Sequence, residues 1–280
     1  MSTKNIVLFG QSGAGKSSVV NLMAGEKKAE TSPGTERCTM HWEEHPITFD
    51  RCIYKVFDTV GLEEPQLGKK EYLDVIVNAY NLIKKLNDEG GIDLLLFCVR
   101  AGRFTSTIQN NYRLFYEWLC EQKVPIVLVL TGLEREQNMD DWWTKYGGTF
   151  DKHKIIVNDH ACITAANGLE ERHQELYQKS RQLVHSLVIK HTRDRQEAVQ
   201  KGGNVVGDED NGQRGNNRWI GDNRLVERVA RMLKGFLFGK PSLKKKDIAT
   251  VLTKRCGMSR EVANELAKKI GQDPNRKLSI

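Results

Sequence analysis

Near the start of the chain, Gly10 to Ser17 reads GQSGAGKS, a run of small residues, glycines and one lysine whose spacing suits phosphate binding. It follows the apolar run Ile6, Val7, Leu8, Phe9 and precedes Ser18, Val19, Val20, Asn21, Leu22, the order expected of strand, turn and helix. Gly10, Gly13 and Gly15 permit a tight turn with consecutive N–H groups facing inward, at the positive end of the helix that follows. Lys16 is placed for the β- and γ-phosphates and Ser17 for Mg²⁺, while Ser12, Ala14 and Ser18 complete the cradle. Pattern and context together point to a nucleoside triphosphate.

A second cluster of chemistry sits at Asp58, Thr59, Val60, Gly61, at the end of the apolar stretch Tyr54 to Phe57. An aspartate there can hold Mg²⁺ through water, and the Gly61 N–H can sense a γ-phosphate. Between the two clusters lies the polar segment Thr31 to Cys38. A threonine that adds a hydroxyl to Mg²⁺ belongs at its end, and Thr39 is the first choice with Thr35 as the second.

The elements that must position these groups are legible in the hydrophobic pattern. Ile53 to Phe57, Asp93 to Val99 and Val124 to Leu130 read as buried strands, and Ala161 to Thr164 as the end of another. Met40 to Phe49 is expected to pair antiparallel with Cys52 to Phe57 through a turn at Asp50 and Arg51. Tyr72 to Leu86, Gln109 to Cys120 and Glu170 to Val188 carry apolar residues at helical spacing. The expected fold is α/β: a P-loop NTPase G domain with a mostly parallel sheet and helices on both faces, plus a small C-terminal helical region. Its ligand belongs at the carboxyl ends of the strands.

GQSGAGKSS, DTVGL and the box Ala101 to Thr105 (AGRFT) together resemble the AIG/GIMAP/Toc-type GTPases of the septin-like branch of P-loop GTPases. The resemblance spans roughly residues 4 to 190, and the AGRFT box is its most specific part. It implies GTP and GDP as ligands with Mg²⁺, and a homodimer that meets through the nucleotide face. In such a dimer Arg103 would reach the partner's phosphates and act catalytically in trans beside Lys16. An arginine supplied this way contributes on the order of 10³-fold or more to phosphoryl transfer. The plainer reading of Arg103 is a surface arginine paired with an acid.

Three departures qualify the resemblance. Thr131, Gly132, Leu133, Glu134 stand where most GTPases have NKxD; the Glu134 carboxylate still matches guanine's two ring-edge donors, which adenine lacks. The last base-binding motif reduces to Thr164, Ala165 and Ala166. Leu62 follows Gly61 where a water-orienting glutamine is common, and leucine neither donates nor accepts. Slow hydrolysis, or none, is the expectation, and two functions stay open: a GTPase switch activated by dimerisation, or a nucleotide-gated scaffold with negligible turnover. An ATPase is a third and weaker option.

Met139 to Trp143 (MDDWW) is expected to begin a short helix near the base, with one of its two tryptophans in the core because neighbours point to different faces. The chain's 280 residues exceed one typical domain. The division expected is a G domain at 1–190, a Gly- and Asn-rich flexible linker at 191–217 and a basic helical region at 218–280. From Arg218 onward there are 16 Lys and Arg against 6 Asp and Glu, so the tail carries the chain's positive charge of +7 and more. Leu225, Val229, Met232, Leu233, Phe236 and Leu237 make an apolar helical stripe opposite Arg224, Arg228, Arg231 and Lys234. Such a helix packs on its own domain or docks on an anionic membrane surface or a protein effector. No basic motif interleaved with aromatics supports nucleic acid as a partner. Six cysteines without metal-ligand spacing, no evident leader and no long apolar span give the expectation of a reduced, cytoplasmic protein that visits membranes peripherally.

Overall fold

The structure, a computed structural model, describes residues 2–30, 42–59, 79, 81–83, 85–166, 173–201, 260 and 264. Six strands form one sheet: β1 (Thr3–Phe9), β2 (Trp42–Phe49), β3 (Cys52–Thr59), β4 (Leu94–Arg100), β5 (Ile126–Thr131) and β6 (Asp159–Cys162). Their spatial order is β2-β3-β1-β4-β5-β6. Every pairing is parallel except the β2–β3 hairpin. Asp50 and Arg51 turn that hairpin with φ of 46° and 58°, the left-handed pair that a two-residue turn between twisted strands requires.

Alternation along the strands divides the core. Val7 and Phe9 of β1 face one side, together with Phe57, Leu95, Phe97 and Leu128. Ile6 and Leu8 face the other, against α1 (Lys16–Ala24) and α6 (Gln174–Lys201), through Val19, Val20, Met23, Val184 and Val188. On the first side lie α2 (helical at 79, 81–83 and 85–88) and α3 (Ser106–Tyr112) with its continuation Arg113–Leu119. Short helices α4 (Asp140–Tyr146) and α5 (Gly148–Lys152) complete that layer. Helices therefore cover both faces of a mostly parallel sheet, as the hydrophobic pattern predicts.

Three details differ from the pattern. The helix expected at Gln109 to Cys120 starts earlier, capped by the Thr105 hydroxyl, and widens to a π-helix over Arg113–Leu119. There the Cys120 N–H reaches back to the Phe115 carbonyl at 3.0 Å. Within it Phe115 stacks on Phe9 at 4.7 Å, and Phe9 stacks in turn on Phe97 at 4.8 Å. Strand β6 ends at Cys162, two residues before Thr164, because the Thr164 N–H is taken by Ser180 Oγ of α6 at 3.1 Å. Helix α6 runs through Lys201, so 191–201 is helical; the rest of 191–217 lies outside the described residues, as does the C-terminal region apart from 260 and 264.

Phe9 is fully buried at the centre of the three-ring stack, on the strand that leads into the glycine-rich loop. Phe9→Ala is expected to cost about 3–5 kcal/mol in urea unfolding through the cavity it leaves.

Candidate functional site at the carboxyl edge of the sheet

Parallel pairing fixes which residues share the carboxyl edge. Leu8 stands opposite Asp58, Arg100 opposite Thr131 and Leu130 opposite Cys162. The glycine-rich loop leaves β1 in the middle of this row. Its first glycine has no substitute: a Cβ on Gly10, at φ +150°, would come 2.1 Å from the Cys98 carbonyl oxygen of β4. Gly15 caps α1 at φ 83°, and a Cβ there would meet the Thr131 side chain at 3.2 Å.

Inside the loop the polar groups converge. Lys16, 8 % exposed, donates through Nζ to the Gln11 carbonyl at 3.1 Å and the Gly10 carbonyl at 3.3 Å, arching back over the loop. Ser17 Oγ donates to Asp58 Oδ2 at 2.6 Å, while the other carboxylate oxygen of Asp58 is buried without a hydrogen-bond partner. Burial pushes the Asp58 carboxyl above its ordinary range, against the Ser17 hydrogen bond and the Lys16 charge, which pull it down. A buried anionic oxygen beside a serine hydroxyl is the donor set a hydrated hard cation such as Mg²⁺ takes, so these residues fit that ion. Ser12 and Gly13 are exposed at the loop's tip, Ala14 is buried, and Ser18 is half-buried.

The other residues singled out from the sequence separate into distinct roles. Thr131 is buried and donates its hydroxyl to the Ala14 carbonyl at 2.8 Å, so it holds the loop from beneath. Glu134, half-buried, follows at the mouth of the β5 loop. Thr164 is fully buried; its N–H goes to Ser180 and its hydroxyl to the Ala166 carbonyl at 3.3 Å, both partners within the protein. Ala165 and Ala166 of that loop keep solvent exposure. Thr35, Thr39 and Gly61 lie outside the described residues. Arg103 is exposed, and no acid of the described residues lies within ion-pair range of it.

Two connections have no signature in the sequence. The Thr105 hydroxyl donates to Gln11 Oε1 at 3.3 Å, tying the AGRFT box to the glycine-rich loop. Beside the box, a cavity of about 460 Å³ is lined by Arg100, Arg103, Phe104, Trp142, Tyr146 and Phe150, among others. Neither tryptophan of MDDWW is fully buried: Trp142 lines this cavity, and Trp143 packs its ring on Phe150 and on His160. Only chain crossings between β4, α3 and α4 bring these residues together.

A glycine-rich loop between β1 and α1, with lysine and serine at the helix start and a buried aspartate at the end of the adjacent strand, defines an α/β P-loop domain of the G-domain class. Residues 5–132 match the family model described as 50S ribosome-binding GTPase. Immune-associated nucleotide-binding protein 7 of Arabidopsis thaliana is 28% identical over 195 residues, covering 66% of this chain. The chain spans 58% of that relative's length. Among solved structures, a dimerization-deficient mutant of Toc33 from Arabidopsis thaliana aligns at 18% identity and TM-score 0.48, over 70% of this chain and 86% of that one. An Aquifex aeolicus Era variant bound to GDP and AlF4⁻ aligns at 18% identity and TM-score 0.45, over 63% of this chain and 56% of that one. No helix among the described residues is long and apolar enough to cross a membrane.

The raised pKa of Asp58 has a stability consequence. The folded protein holds that proton more readily than the unfolded chain, so the contribution is full below the ordinary aspartate range and is lost as pH rises through the raised value. Asp58→Asn keeps an acceptor for Ser17 and carries no charge. In protein free of metal and nucleotide, urea unfolding is expected to show the variant gaining on wild type as pH rises above the ordinary aspartate range of about 4.

Proposed function

We propose that this chain binds GTP and GDP with Mg²⁺ and hydrolyses GTP slowly, as an AIG-type GTPase whose turnover rises when two copies meet through their nucleotide faces. The observation that carries the binding reading is the convergence of Lys16, Ser17 and the half-satisfied Asp58 at the carboxyl edge of the sheet. Gly10, Ser12, Gly13, Ala14, Gly15 and Ser18 form the backbone cradle around the phosphates. Lys16 exchanges its two carbonyl partners for phosphate oxygens, a charge-assisted contact worth more than the one it leaves. Ser17 and Asp58 would hold Mg²⁺, the latter through water, with Thr39 or Thr35 and Gly61 closing from the adjoining segments. The ion neutralises charge on the β- and γ-phosphates when bound. Glu134 selects guanine through its paired acceptors, and Thr131 acts beneath the loop, as its bond to Ala14 indicates. Ala165 supplies backbone to the base from the loop that Thr164 anchors.

The narrower family assignment is supported by the AGRFT box and by the Arabidopsis relative, whose name describes nucleotide binding. The pairing of two copies is supported by Arg103. It is exposed and lacks a described acidic partner, and it lies two residues from Thr105, whose hydroxyl touches the glycine-rich loop. An arginine so placed is available to a second copy's phosphates. Leu62 favours the alternative, a nucleotide-gated scaffold with negligible turnover, since it cannot orient water. The basic region after Arg218 is the part that would dock on an anionic membrane surface or a protein effector, keeping the protein cytoplasmic and peripheral to membranes.

Single-turnover hydrolysis of GTP over a protein concentration series, with ATP in parallel, tests this reading. The rate per protomer is expected to climb with concentration for GTP alone, and Arg103→Ala is expected to remove the climb while nucleotide affinity holds. A flat, near-zero rate with tight GTP binding would instead establish the scaffold. Lys16→Ala is expected to weaken triphosphate binding about 10–100-fold by isothermal titration, the worth of a charged hydrogen bond. Loss of Mg²⁺ to a chelator should weaken it in wild type and leave Asp58→Asn little changed.

A further inference from the structure

Strand β6 carries His160 and Cys162 two residues apart, so both project from the same face of the sheet. That face is the one covered by α4, whose first residue is Asp140. A ring nitrogen of His160, the sulfur of Cys162 and a carboxylate oxygen of Asp140 all lie within 4.8 Å of one another. Asp159, between Asn158 and His160, belongs to the opposite face, where it pairs with Lys190 at 2.9 Å and His191 at 3.3 Å. Those pairs fix the strand's rotation and thereby turn His160 and Cys162 toward α4.

We propose that Asp140, His160 and Cys162 form a binding site for a transition-metal ion of the zinc class, with three protein ligands and one position left to water. One sulfur, one nitrogen and one oxygen donor suit zinc and its neighbours and do not suit Mg²⁺ or Ca²⁺, which take oxygen throughout. Zinc's bond lengths place ligands of a tetrahedral shell roughly 3–4 Å apart, a small side-chain contraction from the arrangement present. A supporting contact is already in place. The Trp143 ring stacks on His160 with centroids 4.1 Å apart and planes 19° from parallel, setting the imidazole plane. Access is built in as well, since Asp140 is exposed and His160 half-buried while Cys162 lies beneath them.

The Cys162 sulfur and the Asp140 carboxylate already lie within 4.8 Å of each other. On metal binding the Cys162 S–H proton leaves to solvent as the metal–sulfur bond forms, and the Asp140 carboxylate holds the cation. The ion would then clamp α4 to the edge strand at its carboxyl end. Ser180 lies next to this clamp, contacting Met139 Sδ at 3.9 Å while it accepts the Thr164 N–H.

Cobalt(II) titration of the full chain, followed by absorption, tests the site. One equivalent is expected to produce a sulfur-to-cobalt charge-transfer band that added Zn²⁺ abolishes. Cys162→Ser is expected to remove the band, and Asp140→Asn and His160→Gln each to weaken cobalt binding by about tenfold or more. Cobalt held at Ser17 and Asp58 gives no sulfur band and so does not interfere. Absence of the band in wild type overturns the proposal, as does its persistence in Cys162→Ser, which would place the ion on another cysteine. Should Cys162→Ser fail to fold, Asp140→Asn at its exposed position decides: undiminished cobalt affinity overturns the site.

Discussion

At the point where β1 ends, its backbone passes against β4 so closely that no side chain fits between Gly10 and the Cys98 carbonyl. This approach makes the glycine-rich loop possible, and the rest of the carboxyl edge is arranged around it. The loop must rise from the middle of the sheet, between β3 and β4, and be held from below. Phe9, one residue earlier, is locked in the ring stack with Phe97 and Phe115, and Thr131 of β5 grips the loop through the Ala14 carbonyl. A rigid sheet underneath and a residue without Cβ at the crossing together fix a loop that would otherwise be mobile.

The charges follow from that placement. Parallel register puts Asp58 beside the end of β1, so its carboxylate meets Ser17 at the start of α1 instead of solvent. One oxygen is satisfied and the other is not, and burial disfavours the anion. Lys16 lies over the same loop, bonded to carbonyls that hold it less strongly than an anion would. The buried, unpartnered oxygen of Asp58 is thus arranged to gain from a cation. Stability in the ligand-free state is given up where binding is to occur.

Away from the loop, the edge strand β6 shows the same logic on a smaller scale. Its two faces are separated by ion pairs on one side and by the cluster of Asp140, His160, Cys162 and the Trp143 ring on the other. Ser180 joins this region to the loop after β6, which links α4, α6 and the sheet at one point. The AGRFT box is tied in similarly, through Thr105 and Gln11.

What was legible without coordinates was whatever depends on neighbours in the chain. The glycine-rich loop is contiguous from Gly10 to Ser17, the Asp50–Arg51 turn joins adjacent strands, and buried parallel strands are unbroken apolar runs; each is local, so residue order alone determined it. Tertiary structure decided what depends on residues far apart. The Thr131 hydroxyl reaches the Ala14 carbonyl of the loop because β5 lies two strands from β1. The Thr164 N–H is met by a serine of α6, and the helix after Thr105 widened where aromatic rings had to stack. Cysteine spacing showed no metal pattern, since Asp140 and Cys162 are separated by 22 positions and meet only when α4 folds over β6. Periodicity specifies which face of an element is apolar, while packing of whole elements specifies which polar groups meet, and chemistry at a site requires the second.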